Sequence, residues 1–68
     1  MEKNWVSIFS TNQTYLIQLA KAVLEEENIE TVEINKQDSA YTILGEIELF
    51  VNIQDVVKAR HLIQELIP

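Results

Sequence analysis

No cysteine occurs in the 68 residues, and glycine and proline occur once each, as Gly45 and Pro68. The missing cysteine removes disulfides, thiolate metal ligands and thiol nucleophiles together. Small secreted domains usually depend on such staples, so a reducing compartment, the cytoplasm, is expected. Basic residues are also scarce. Five Lys and Arg stand against eleven Asp and Glu, for a net charge of −6. A nucleic-acid partner needs a basic footprint and an anionic membrane surface attracts basic clusters, so neither partner is expected. No apolar run approaches the roughly 18 residues of a membrane span. The opening Met1-Glu2-Lys3-Asn4-Trp5 lacks the cationic start and apolar run of a signal peptide.

What is present suits one small domain, 1–68. Hydrophobic residues make up 47% and charged residues 24%, ordinary values for a globular chain. A chain of this length buries only about 60% of the surface its unfolded form exposes, so the core is small.

Hydrophobic periodicity divides the chain into five elements. Trp5-Val6-Ser7-Ile8-Phe9-Ser10 is aromatic and β-branched and reads as a strand. Strict alternation would send Val6 and Ile8 one way and Trp5, Ser7 and Phe9 the other. Ser10-Thr11-Asn12 offers helix-capping side chains. Leu16, Leu19, Ala20, Val23 and Leu24 then follow at helical spacing, with Ile17 off the stripe. Glu25-Glu26-Glu27 reads as a solvated helix end, and Asn28 suits the left-handed position that stops a helix.

Ile29 to Ile34 resumes a period of two, with Val32 and Ile34 predicted inward and Thr31 and Glu33 outward. After a polar run and Gly45, Ile47, Leu49, Val51 and Ile53 alternate with Glu46, Glu48, Phe50 and Asn52 as the clearest strand. Gln54-Asp55 opens a last helix whose buried stripe is Val56, Ala59, Leu62, Ile63, Leu66 and Ile67.

A right-handed crossover makes the first two strands parallel, and the third fits between them, antiparallel to both. The expected fold is α+β, a ferredoxin-like βαββα unit with a three-stranded sheet in order 1-3-2 and two helices on one face. The predicted parity leaves Trp5, Phe9 and Phe50 on the opposite face beside Thr31, Glu33, Glu46 and Glu48. An exposed aromatic patch of that kind marks an interaction surface, the first strand also leaves a free edge, and self-association as a homodimer through this face or edge is expected.

Chemistry-bearing residues gather between the second and third strands. Asn35, Lys36, Gln37, Asp38, Ser39 and Tyr41 supply amides, a cation, a carboxylate and hydroxyls, enough to hydrogen-bond a protein or a small polar molecule. The same residue types also stabilise turns through the backbone alone. Glu46 and Glu48 share one strand face beside this run. Asp38, Glu46 and Glu48 match no calcium-loop spacing, and Glu46 and Glu48 as an acid-base pair have no nucleophile near them in sequence. The lone His61 in the last helix has no ligand partners nearby, and Ser7, Ser10 and Ser39 lack a nucleophile-elbow context. No catalytic residue, metal or cofactor is assigned.

The pattern Leu24-Glu25-x-x-Asn28-Ile29, Asn35-Lys36-Gln37-Asp38-Ser39-x-Tyr41, Gly45-Glu46-Ile47-Glu48-Leu49-x-Val51 and Ala59 resembles a bacterial domain-of-unknown-function family. That family is described as putative prokaryotic signal-transducing proteins, and the likeness is greatest to short members from the Bacteroidetes group. The resemblance implies a ferredoxin-like fold related to PII-like regulators, in which the connection between the second and third strands touches regulatory partners. In this chain that connection runs from Asn35 to Gly45. Family members commonly have glycine where this chain has Asn28. The basic, glycine-rich loop with which PII proteins hold ATP phosphates is missing, so nucleotide binding of that kind is not implied. The expected function is a small cytoplasmic, non-enzymatic binding or regulatory module. The alternatives are an acidic metal-binding or enzymatic accessory protein and a purely structural self-associating subunit.

Overall fold

A computed structural model describes residues 4–36 and 45–66. Gln37, Asp38, Ser39, Tyr41 and Ile67 lie outside the described residues. The order of elements is β1 (Trp5–Thr11), α1 (Thr14–Glu26), β2 (Thr31–Asn35), β3 (Ile47–Asn52), a 3-10 turn (Ile53–Asp55) and α2 (Val56–Leu66). The sheet runs β1-β3-β2 with both pairings antiparallel, the expected ferredoxin-like βαββα arrangement.

The core forms where one face of β3 meets both helices. Ile47, Leu49 and Val51 are fully buried against Ile17, Ala20 and Leu24 of α1 and Ala59 and Ile63 of α2. Four points differ from the periodicity, each for a separate physical reason.

First, the apolar stripe of α1 is rotated. Ile17, Ala20 and Leu24 are fully buried while Leu19 is 47% exposed. At 100° per residue the three buried positions lie within roughly 60° of one another, and Leu19 sits roughly 130° from their middle. Counting apolar residues alone put the centre of the stripe too far toward Leu19. The helix also starts later than the capping residues suggested. Ser10 and Thr11 still belong to β1, and Gln13 is the N-cap without a side-chain cap bond. The Thr11 hydroxyl instead accepts from the Gln13 amide at 3.2 Å.

Second, β1 carries a bulge. Ser7 pairs with Phe50 but Phe9 pairs with Leu49, so the register slips at Ile8. One extra residue in a strand inverts the parity beyond it. Because directly paired residues share a face, Phe9 joins Leu49 on the helix side, where both Ile8 and Phe9 pack against the core. The expected placement of Phe9 with Trp5 and Phe50 is therefore corrected.

Third, β2 has the opposite parity to that expected. Val32 pairs with Phe50 and Ile34 with Glu48, which puts both on the open face, while Thr31 and Glu33 pair with the buried Val51 and Leu49. The cause lies one turn upstream. Asn28 has φ 61°. Its amide donates to the Glu25 carbonyl at 3.0 Å, and the Ile29 amide donates to the Leu24 carbonyl at 2.9 Å. This left-handed helix stop buries Ile29 in the same cluster as Leu24. With Ile29 inward, Thr31 and Glu33 follow it by alternation. The Glu33 carboxylate then meets the Lys21 ammonium of α1 at 3.4 Å at the rim of the helix layer.

Ile53 leaves the strand pattern as well and is 60% exposed. The Ile53 amide still donates to the Asn4 carbonyl at 2.7 Å, but the Asn52 side chain accepts from the Gln54 amide at 3.3 Å and turns the chain into the 3-10 turn that leads to α2.

Candidate functional site

With both helices on one side, the opposite sheet face is built by alternate residues of three strands. Register places Trp5, Ser7 and Ser10 of β1 beside Phe50 and Glu48 of β3 and Val32 and Ile34 of β2. Lys36 follows β2, its amide donating to the Glu46 carbonyl at 3.0 Å. Two zones result. Trp5, Phe50, Val32 and Ile34 form a diagonal apolar band across all three strands. Ser7, Ser10, Glu46, Glu48 and Lys36 fill the remaining corner as a polar zone.

The polar zone is organised by hydrogen bonds between strands. The Ser7 hydroxyl donates to Glu48 Oε2 at 2.9 Å. The Lys36 ammonium donates to Glu48 Oε1, and the Ser10 hydroxyl donates to Glu46 Oε2. Glu48 thus bridges β1 to the end of β2 from the central strand. The hydrogen bond from Lys36, then that from Ser7, holds the Glu48 carboxyl below its ordinary value, against a smaller upward push from partial burial.

A depressed folded-state pKa stabilises the protein in full above the unfolded glutamate value, near 4.3, and that contribution disappears as pH falls through the folded value. Lowering the pH from 7 to 3 should therefore cost wild type about 0.5–1 kcal/mol more stability, read by urea unfolding, than it costs Glu48→Gln, the range of a partly exposed charge pair. Equal losses in the two proteins would show that the Lys36, Ser7 and Glu48 bridge contributes nothing to folding.

Of the site residues expected from sequence, the structure brings Lys36, Glu46 and Glu48 together on the open face and places Trp5 and Phe50 on the same face. Phe9 is on the other. Asn35 pairs with the buried Ile47 and belongs to the helix-side parity, so it does not join Lys36. Gln37, Asp38, Ser39 and Tyr41 lie outside the described residues. Sequence reasoning missed Ser7 and Ser10, although Ser7 alternates with Trp5 in a strand, a signal that was available. It also missed Val32 and Ile34, whose apolar character pointed to the core.

Glu46 and Glu48 are both engaged by hydroxyl or ammonium donors, and among the described residues no group of three His, Asp or Glu side chains is placed to hold a metal ion. A small groove of about 200 Å³ between the helices is lined by Val23, Leu62, Glu65 and Leu66 and carries little polar chemistry. His61 is exposed and lies 3.3 Å from Glu65 one turn later. No described helix is long and apolar enough to cross a membrane.

No curated protein and no solved structure matches the chain. A family model does, across residues 5–67, which takes in every described element. The family's description names a signal-transducing role without a reaction. With that span and the βαββα fold, the chain belongs to the family described as putative prokaryotic signal transducing protein.

Proposed function

We propose that this protein is a non-enzymatic binding or regulatory module of the cytoplasm that contacts a protein or a small polar molecule through the open sheet face and the adjoining β2–β3 connection. The observation that carries the reading is the composition of that face. A sheet face that no described helix covers needs no Trp, Phe, Val and Ile for folding, since the core lies on the other side; an apolar band of half-buried side chains beside a hydrogen-bonded polar corner is the anatomy of an interface. The absence of cysteine supports a reducing compartment, and the family description supports a regulatory role.

Affinity capture from the source cell with three immobilised proteins tests it. Wild type and Leu19→Ser, altered on the exposed side of α1, should recover the same partner. Phe50→Ser should recover about tenfold less, as expected for loss of an aromatic interface anchor. Equal recovery by all three proteins would remove the open face from the function.

A second reading, self-association as a homodimer through the same face, is favoured by the same apolar band. Light scattering at micromolar concentration separates the two, because a mass of one chain leaves the face to a different partner.

A further inference from the structure

The open face carries a charge imbalance that narrows the choice of occupant. Lys36 is already committed to Glu48, whereas Glu46 is exposed and, among the described residues, receives the neutral Ser10 hydroxyl. Among the described residues no cation neutralises Glu46. The face therefore presents an apolar band with one unbalanced carboxylate beside it, on a chain of net charge −6. Such a field attracts cations and repels a second copy of the same chain.

Symmetry sharpens the point. Two sheets packed face to face with aligned strands are related by a two-fold axis along or across the central strand. An axis along β3 sets Glu46 and Glu48 against their own images. An axis across it at Leu49 sets Phe50 over the partner copy's Glu48 carboxylate, and one at Phe50 sets Glu48 over the partner copy's Asn52. Either arrangement desolvates carboxylates without supplying new cations, which is costly at neutral pH.

We propose that the open face docks a cationic amphipathic segment of another protein, its apolar side chains lying on Trp5, Phe50, Val32 and Ile34 and a Lys or Arg pairing with Glu46. The inference rests on the reading of this face as a binding surface and adds the chemical class of the partner.

Two synthetic amphipathic peptides of equal length and identical apolar positions, one with lysine and one with glutamate at the polar positions, provide the probe. Each is titrated into the isotopically labelled full chain and followed by amide NMR. The lysine peptide should shift the amides of Trp5, Ser7, Val32, Glu46 and Phe50, and raising the salt should weaken it as the attraction is screened. Glu46→Gln should reduce its affinity about threefold to tenfold, the effect of one charge pair at an interface rim. Phe50→Ser should reduce it at least about tenfold.

Equal binding of the glutamate peptide would overturn the charge assignment. So would shifts confined to the Glu25-Glu26-Glu27 end of α1, or no binding of the lysine peptide. Face amides that shift with protein concentration alone would assign the face to a second copy. The two proposals fail separately. If Phe50→Ser loses the cellular partner but the lysine peptide does not bind, the binding face stands and its partner class is wrong. If the peptide binds and Phe50→Ser is indifferent in both assays, the face itself is wrong.

Discussion

Ile17→Ala should destabilise the protein by about 3–4 kcal/mol, while Leu19→Ala two residues away should cost less than about 1 kcal/mol. Ile17 is fully buried against β3 and the Ala20 and Leu24 turns of α1, so truncation removes its transfer free energy and leaves a cavity that a close-packed neighbourhood cannot refill. Leu19 is 47% exposed and gives up much less contact. A chain of this size has about 3–10 kcal/mol of total stability, so the first variant should be largely unfolded or close to it and the second should be near wild type. Urea midpoints at 25 °C provide the comparison. Similar midpoints for the two variants would mean that α1 presents a different face to the sheet.

The second large effect concerns the β1 bulge. Phe9→Ala should cost about 2–3 kcal/mol and Phe50→Ala about 1 kcal/mol or less, although both are strand phenylalanines of intermediate exposure. Phe9 is turned by the register slip onto the Leu49 side and packs on the core, while Phe50 lies with Trp5 and Val32 on the face without helices. Only the first truncation opens a gap under a covering layer. Thermal unfolding of both variants beside wild type decides the matter; similar small losses from the two variants would place both phenylalanines on the face without helices, as simple alternation does, and remove the bulge.

These two comparisons also show where sequence reading reached its limit. The number, type and order of elements were legible because period-two and period-3.6 patterns do not depend on partners. The helix stop at Asn28 was legible because few side chains tolerate a left-handed backbone. Facing directions were less secure. A bulge leaves no mark in composition, and Ile8 and Phe9 are as apolar as any alternating pair. In β2, Thr-Val-Glu-Ile alternates cleanly, yet either phase fits a sheet whose second face is itself apolar; the phase is set by Ile29, which the α1 stop draws into the core.

The same limit applied to the candidate site. Lys36, Glu46 and Glu48 were recognisable as polar residues in or beside the third strand, and Trp5, Phe9 and Phe50 as an aromatic group on the face of Glu46 and Glu48, of which the bulge removes Phe9. Ser7 and Ser10 acquire a role only when β1 lies beside β3, 36 or more residues away in sequence.

By itself, then, the sequence determined the βαββα order, the polar connection between β2 and β3, and the acidic, cysteine-free character of the chain. These follow from local backbone preference and net charge, which each residue carries wherever it sits. The tertiary structure alone decided which residues share the open face, that Val32 and Ile34 join Trp5 and Phe50 there, and that Glu48 is bridged while no cation among the described residues pairs with Glu46. Faces are relations between strands, and register, a single bulge and one buried isoleucine assign them.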